Sequence, residues 1–321
     1  MREIKLLESL RHPNVIHLQE MMFEKSILLI SILLTLAFVY MVFEYMDHDL
    51  AGILTHPHFT FAPAQIKDLL RQMLEGLHYL HHRGILHRDI KGSNILLNAN
   101  GHLKLADFGL ARHYHKRRDN LDYTNRVITL WYRPPELLLG ATAYGPAVDI
   151  WSIGCIMLEM FTKKALFPGT DELDQLKRIW NIMGSPTIET WPKVTKLPWW
   201  ELVKPHPAKV ETFHADFDGY LPVQTKPDIS TLSEQAIDLA SKLLCLDPGQ
   251  RPTALEALQH PYFTKELPRP ERPNGYDLFT VYIYNRLDDM DGEWHEFESK
   301  QRKRAQKALQ QQELRKTSPK H

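Results

Sequence analysis

With 321 residues, 43% of them hydrophobic and 24% charged, the chain has the material for one large folded unit or two lobes. Its 39 basic and 39 acidic side chains cancel, which excludes a global electrostatic pull toward nucleic acid or an anionic membrane. Two cysteines, Cys155 and Cys245, stand in apolar stretches; they exclude a disulfide framework and predict buried thiols in a reducing compartment.

Met1-Arg2-Glu3 opens directly into apolar positions Ile4, Leu7 and Leu10, without the charged-then-apolar pattern of a secretory signal. This reads as a helix end, followed by a His12-Pro13-Asn14 turn and a strand from Val15 to Leu18. Residues 27–43 carry no charge and approach the length of a membrane span, although Val39–Phe43 runs on into Glu44-Tyr45-Met46-Asp47. Leu50, Ile53 and Leu54 begin a short helix that Pro57 stops. From Pro63 to His82, Ile66, Leu69, Leu70, Met73, Leu77 and Leu80 fall at helical spacing with one buried face. His78, His81 and His82 end that helix, and no Cys or carboxylate cluster beside them argues for a metal.

Short strands are predicted at Asn94–Leu97 and His102–Ala106, around a turn at Asn98–Gly101. Asp149–Phe161 is apolar on nearly all sides, as a central buried helix would be. Helical patterns recur at Asp171–Met183 and Ser233–Leu244. Thr253-Ala-Leu-Glu256 is a capping box for a last core helix ending at His260-Pro261. Residues 185–230 look irregular, and beyond Phe263 the chain turns to Pro, charge and Gln, with a basic cluster at Lys300–Arg304.

Chemistry concentrates in an ordered series: His87-Arg88-Asp89-Ile90-Lys91-Gly92-Ser93-Asn94, then Asp107-Phe108-Gly109, then Pro134-Pro135-Glu136. Phosphoryl transfer asks for positioning and charge neutralisation more than covalent help. Asp89 can accept a hydroxyl proton and Lys91, two residues on, can reach a transferring phosphoryl group. Asn94 and Asp107 offer hard oxygens suited to Mg2+. Gly109 is expected to free the backbone for a sharp turn after Asp107.

On these motifs Met1–Phe263 resembles a cyclin-dependent protein kinase. The resemblance implies an α+β protein-kinase fold with a mostly helical C-lobe at 47–263, an incomplete N-lobe at 1–46 and a polar, basic extension at 264–321. It implies ATP and Mg2+ as cofactors, with Phe43 as gatekeeper and the backbone of Glu44 and Met46 holding adenine. Asp49 would face the ribose, Leu96 and Ala106 would line the pocket floor, and Asp107 would hold metal. Asp122–Val127 resembles an activation segment with Thr124 as the phosphorylated residue, read by Arg2, Arg88 and Arg112. Glu136 and Arg251 would form a buried ion pair, and Arg133 would belong to a platform selecting proline after the target Ser or Thr. Glu3 is the helix glutamate that in the family pairs with a strand lysine, and the helix around it contacts a cyclin subunit.

Tyr114-His-Lys-Arg-Arg118, Thr124–Leu130 and Gly292–Lys300 are more narrowly similar to the fungal CTD kinase I branch of that family. That branch acts in the nucleus on the heptad tail of RNA polymerase II; no direct nucleic-acid or membrane contact is expected. His295-Glu296 matches residues of a tail that folds back near the nucleotide. Three features depart from the pattern. No glycine precedes Gly52, so a Gly-rich loop and its strand lysine have no counterpart. Apolar residues 26–38 interrupt an expected hairpin between Glu20–Glu24 and Tyr40–Phe43, and Tyr- and Ile-rich 274–286 interrupt the tail. The expectation is a start placed too far downstream, intron read in frame, and no turnover by this chain alone. A non-catalytic scaffold and a membrane-anchored protein are the alternatives.

Overall fold

The computed structural model describes residues 2–27, 35–56, 59–114, 123–204 and 232–273. The 274–286 stretch, His295-Glu296 and the Lys300–Arg304 cluster lie outside the described residues, as do the side chains of Arg2 and Glu3.

The spine of the large lobe is a helix pair. Helix α3 (Pro63–His82) spans the predicted residues, after α1 (Arg2–Ser9) and the short α2 (Leu50–Leu54). Pro63 at its first position loses no helical hydrogen bond, and Gln65 Oε1 accepts the Ala62 N–H at 2.9 Å. All six periodic apolar residues are buried. So are Lys67, Asp68 and Gln72, polar exceptions that the periodicity does not foresee. Lys67 is satisfied by Glu266 Oε1 at 3.1 Å, the Pro268 carbonyl at 2.9 Å and the face of Tyr262, which ties residues 262–268 to α3.

After the four-residue α4 (Pro135–Leu138), helix α5 (Ala147–Thr162) is buried on every side from Val148 to Leu158. Helices α6 (Glu172–Met183), α7 (Trp200–Val203) and α8 (Glu234–Leu243) follow; α6 and α8 start on the side-chain caps of Asp171 and Ser233. At Gly154 of α5 a Cβ would lie 2.8 Å from Leu244 atoms, so glycine there permits the approach of the chain end of α8. The capping box at Thr253 opens α9 (Ala254–Leu258), which stops earlier than expected. His260 then caps a further helix, α10 (Pro261–Thr264).

Strands β1 (Leu18–Ile27) and β2 (Thr35–Phe43) form an antiparallel pair, with Met22 opposite Tyr40 and Ser26 opposite Leu36. Residues 26–27 and 35–38 therefore prolong the hairpin instead of interrupting it. A second sheet joins β3 (His48–Asp49), β5 (Ile95–Leu97) and β6 (Leu103–Leu105), while β4 (Ile85–Leu86) pairs with β7 (Arg112–His113). The predicted strand at Val15 is reduced to one parallel bridge with Leu105. Among the described residues no helix is long and apolar enough to cross a membrane. Cys155 is buried as expected, whereas Cys245 is only half-buried.

Candidate active site

The loop between β4 and β5 is shaped by one buried carboxylate. Asp149, at the start of α5, accepts the backbone N–H of Arg88 at 2.8 Å through Oδ1. Its Oδ2 accepts the N–H of His87 at 3.0 Å and lies 2.9 Å from His81 Nε2. Burial pushes its pKa up, but the His81 hydrogen bond, the nearby histidines and the backbone donors outweigh burial and hold it below the ordinary value. Arg88 sits in the left-handed region at φ 65°, a strain that this anchoring sustains. His87 is held neutral by burial; its Nδ1 accepts from Asp89 N at 3.3 Å and its Nε2 lies 3.1 Å from the Ala106 carbonyl. Those partners place the imidazole proton on Nε2 and link the loop to the residue before Asp107.

Asp89 is thereby presented as a carboxylate with every oxygen engaged. Oδ2 accepts from Lys91 Nζ at 2.8 Å and Asn94 Nδ2 at 3.0 Å, and Oδ1 from Thr129 Oγ1 at 2.9 Å. Burial raises its pKa, yet Lys91 and Thr129 more than offset this, so the net displacement is downward. Asn94, in the 3-10 turn Gly92–Asn94, spends its amide nitrogen on Asp89, which leaves its amide oxygen free of that bond. Lys91, Asn94 and Asp89 are thus assembled as the sequence motif implies.

Asp107 is exposed and itself carries the left-handed turn, at φ 62°, with Gly109 N donating back to its Oδ1 at 3.2 Å. The expectation that Gly109 supplies the turn is corrected: a short Asp bonded to its own downstream backbone tolerates that conformation. Asp107 lines a cavity of about 490 Å3 together with Phe43, Glu44, Met46, Leu96 and Ala106, all residues assigned to nucleotide contact. Asp49 does not line it. Its carboxylate is buried and accepts the Gly52 N–H at 2.7 Å as the cap of α2, a different role from the ribose contact expected. An apolar cleft with the exposed Asp107 carboxylate on its lining fits an adenine nucleotide, and the Asn94 amide oxygen is a second hard donor of the kind Mg2+ takes.

Thr124 is exposed, and the two described arginines of its expected cluster converge on its neighbours. Arg88 donates to Tyr144 Oη at 3.0 Å, Tyr144 Oη donates to the Thr124 carbonyl at 2.8 Å, and Arg112 lies 4.9 Å over the Tyr123 ring. Glu136 and Arg251 form the expected buried fork, at 2.7 and 2.8 Å. His81 serves Asp149, and among the described residues no group of three or more His, Cys, Asp or Glu could hold a metal. Sequence reasoning missed Asp149, Thr129 and Tyr144. Asp149 left a signal, a lone carboxylate in an otherwise apolar helix turn; the other two left none.

A family profile described as protein kinase domain matches residues 1–263. The CTD kinase subunit alpha of Schizosaccharomyces pombe is 53% identical over 302 residues, covering 94% of this chain and 45% of that protein. Its Saccharomyces cerevisiae counterpart of the same name is 47% identical over 272 residues, covering 84% and 47%. The chain therefore spans about half the length of these curated relatives. Among solved structures, a chain of the yeast RNA Pol II CTD kinase CTDK-1 complex superposes with a TM-score of 0.72 at 46% identity, covering 84% of this chain and 82% of that one. With the catalytic loop and the Glu136–Arg251 fork assembled and the kinase profile spanning them, this chain belongs to the protein kinase family.

Proposed function

We propose that the protein is a nuclear, cyclin-dependent, proline-directed Ser/Thr kinase that transfers the γ-phosphate of ATP to the heptad repeats of the RNA polymerase II tail. The arrangement that carries the reading is the Asp89 carboxylate, held by Lys91, Asn94 and Thr129 beside a cavity lined by Asp107. ATP with Mg2+, when bound, supplies the phosphoryl group and neutralises its charge. Asp89 takes the proton of the substrate hydroxyl. Lys91 adds positive charge on the same side, Thr129 fixes the carboxylate, and neutral His87 keeps the loop in register with Asp107. Asn94 through its amide oxygen and Asp107 through its carboxylate are the metal-holding groups.

Proline selection is supported by a backbone acceptor that is already spent. Arg133 donates from Nε and Nη2 to the Ile128 carbonyl at 3.2 and 3.0 Å, and from Nε to the Val127 carbonyl at 2.9 Å. Ile128 is left-handed at φ 66°, costly for a β-branched residue. A substrate residue after the target Ser finds that carbonyl occupied, and proline, having no N–H, forfeits nothing. The alternative reading is a non-catalytic scaffold. The test is labelled phosphate incorporation by the full-length protein with its cyclin, into Tyr-Ser-Pro and Tyr-Ser-Ala repeat peptides. Strong preference for the first is expected, and incorporation no higher than an Asp89→Asn control would favour the scaffold.

A further inference from the structure

Arg88 adjoins the proposed base, and its guanidinium reaches two partners that belong to neither the catalytic loop nor the cavity. Its Nε donates to the Leu110 carbonyl at 2.7 Å and its Nη1 donates to Tyr144 Oη at 3.0 Å. Tyr144 lies between α4 and α5, and its hydroxyl passes the contact on to the Thr124 backbone carbonyl at 2.8 Å. The ring is fixed independently. It packs 5.1 Å from the Tyr123 ring, Tyr123 N donates to the Thr142 carbonyl at 2.9 Å, and Arg112 covers Tyr123 from 4.9 Å. One phenol therefore joins the residue next to Asp89 to the backbone of the proposed phosphosite.

We propose that Tyr144 is a positioning residue that holds the activation segment to Arg88 while Thr124 is unphosphorylated, and so sets the basal activity of the kinase. The inference rests on the reading of Thr124 as the switch. A hydroxyl is a neutral acceptor for Arg88, and a phosphate on Thr124 makes shorter, stronger, charge-assisted bonds with a guanidinium. Phosphorylation then transfers Arg88 from Tyr144 to the phosphate, and the phenol becomes dispensable to the loop. Tyr144 contributes mainly to the unphosphorylated form, so it limits how large the phosphorylation step is.

The test compares Tyr144→Phe with wild type in the full-length protein with its cyclin, each prepared with Thr124 unmodified and fully phosphorylated. Phenylalanine keeps the ring packing on Tyr123 and removes only the bridging hydroxyl. Loss of one or two ordinary hydrogen bonds predicts kcat about three- to tenfold lower in the unphosphorylated form and within about twofold of wild type in the phosphorylated form. Thr124→Ala retains the carbonyl that Tyr144 engages, so Tyr144→Phe should cost the same factor in that background. Trypsin cleavage after exposed Arg126 reads the same bridge without turnover: faster in unphosphorylated Tyr144→Phe, and restored by phosphate. An equal loss in both phosphorylation states, or no change in cleavage and rate, overturns the inference. If wild type shows no turnover above Asp89→Asn, the kinase reading fails, while the cleavage comparison still decides whether Tyr144 holds the segment.

Discussion

The catalytic loop and the β1–β2 hairpin are built in opposite ways. The loop's backbone and its carboxylate are tied to distant elements: Asp149 in α5 holds the N–H groups of His87 and Arg88, and Thr129, beyond the segment around Thr124, holds the Asp89 carboxylate. The hairpin contributes Met41 and Phe43 to the cavity, yet its described outer residues Met22, Val39 and Tyr40 are 50, 43 and 48% exposed. A two-stranded pair on its own is marginal in water, whereas a loop anchored by buried, charge-assisted hydrogen bonds is held to one geometry. The contrast separates two tasks. The acceptor side must hold a carboxylate in place to a fraction of an ångström, while the nucleotide side is the part such an enzyme moves.

The largest effect should come from the anchored side. Asp89→Asn is nearly isosteric and leaves the Asn94 bond to the Asp89 carbonyl intact, so folding should be preserved. Turnover should fall about 10²- to 10⁴-fold, the usual contribution of a general base. Labelled phosphate incorporation alongside a thermal melt checks both halves; near-normal rate means the base lies elsewhere.

Second in size is a loss of stability. Arg251→Ala strips Glu136 of its buried fork and should cost about 3–5 kcal/mol, because an unpaired buried carboxylate remains. A denaturant midpoint that hardly moves would show that the lobe does not depend on this pair. Asp149 adds a pH signature. Its folded pKa lies below the ordinary 3.8, so its contribution is present above that value and lost as pH falls through the folded one. Asp149→Asn should therefore be less stable than wild type at pH 7, by about 2 kcal/mol, and should converge with it in acid. Parallel stability curves down to strongly acid pH would contradict this.

How much of this was legible in the chain divides along the same line. Helix α3 was readable to the residue because one apolar face and an N1 proline both belong to its own sequence. The Asp89, Asn94 and Asp107 group was readable because short motifs fix it locally. Residues 26–27 and 35–38, expected to interrupt the hairpin, pair within it, because an apolar run without alternation does not distinguish a strand from a buried helix or an insertion. Asp49 and Gly109 were assigned by analogy, and local hydrogen bonding gave their neighbourhoods other uses. Thr129 and Tyr144 act across 40 and 56 residues of chain, on Asp89 and Arg88, and no local pattern announces such contacts.

The smallest predicted effect belongs to the hairpin. Met22 and Tyr40 stand directly opposite one another, both about half exposed. Cross-strand pairs of this kind couple by about 0.2–1 kcal/mol. Exposed substitutions away from caps and cores usually stay within about 0.5 kcal/mol. A double-mutant cycle of Met22→Ala and Tyr40→Ala should therefore give a coupling well under 1 kcal/mol, with each single variant nearly as stable as wild type. The cycle subtracts whatever each side chain does alone, so what remains is the contact between them. A coupling above about 2 kcal/mol would mean that the outer face of the hairpin is held as firmly as the catalytic loop. The division between a fixed acceptor side and a loosely held nucleotide side would then have to be abandoned.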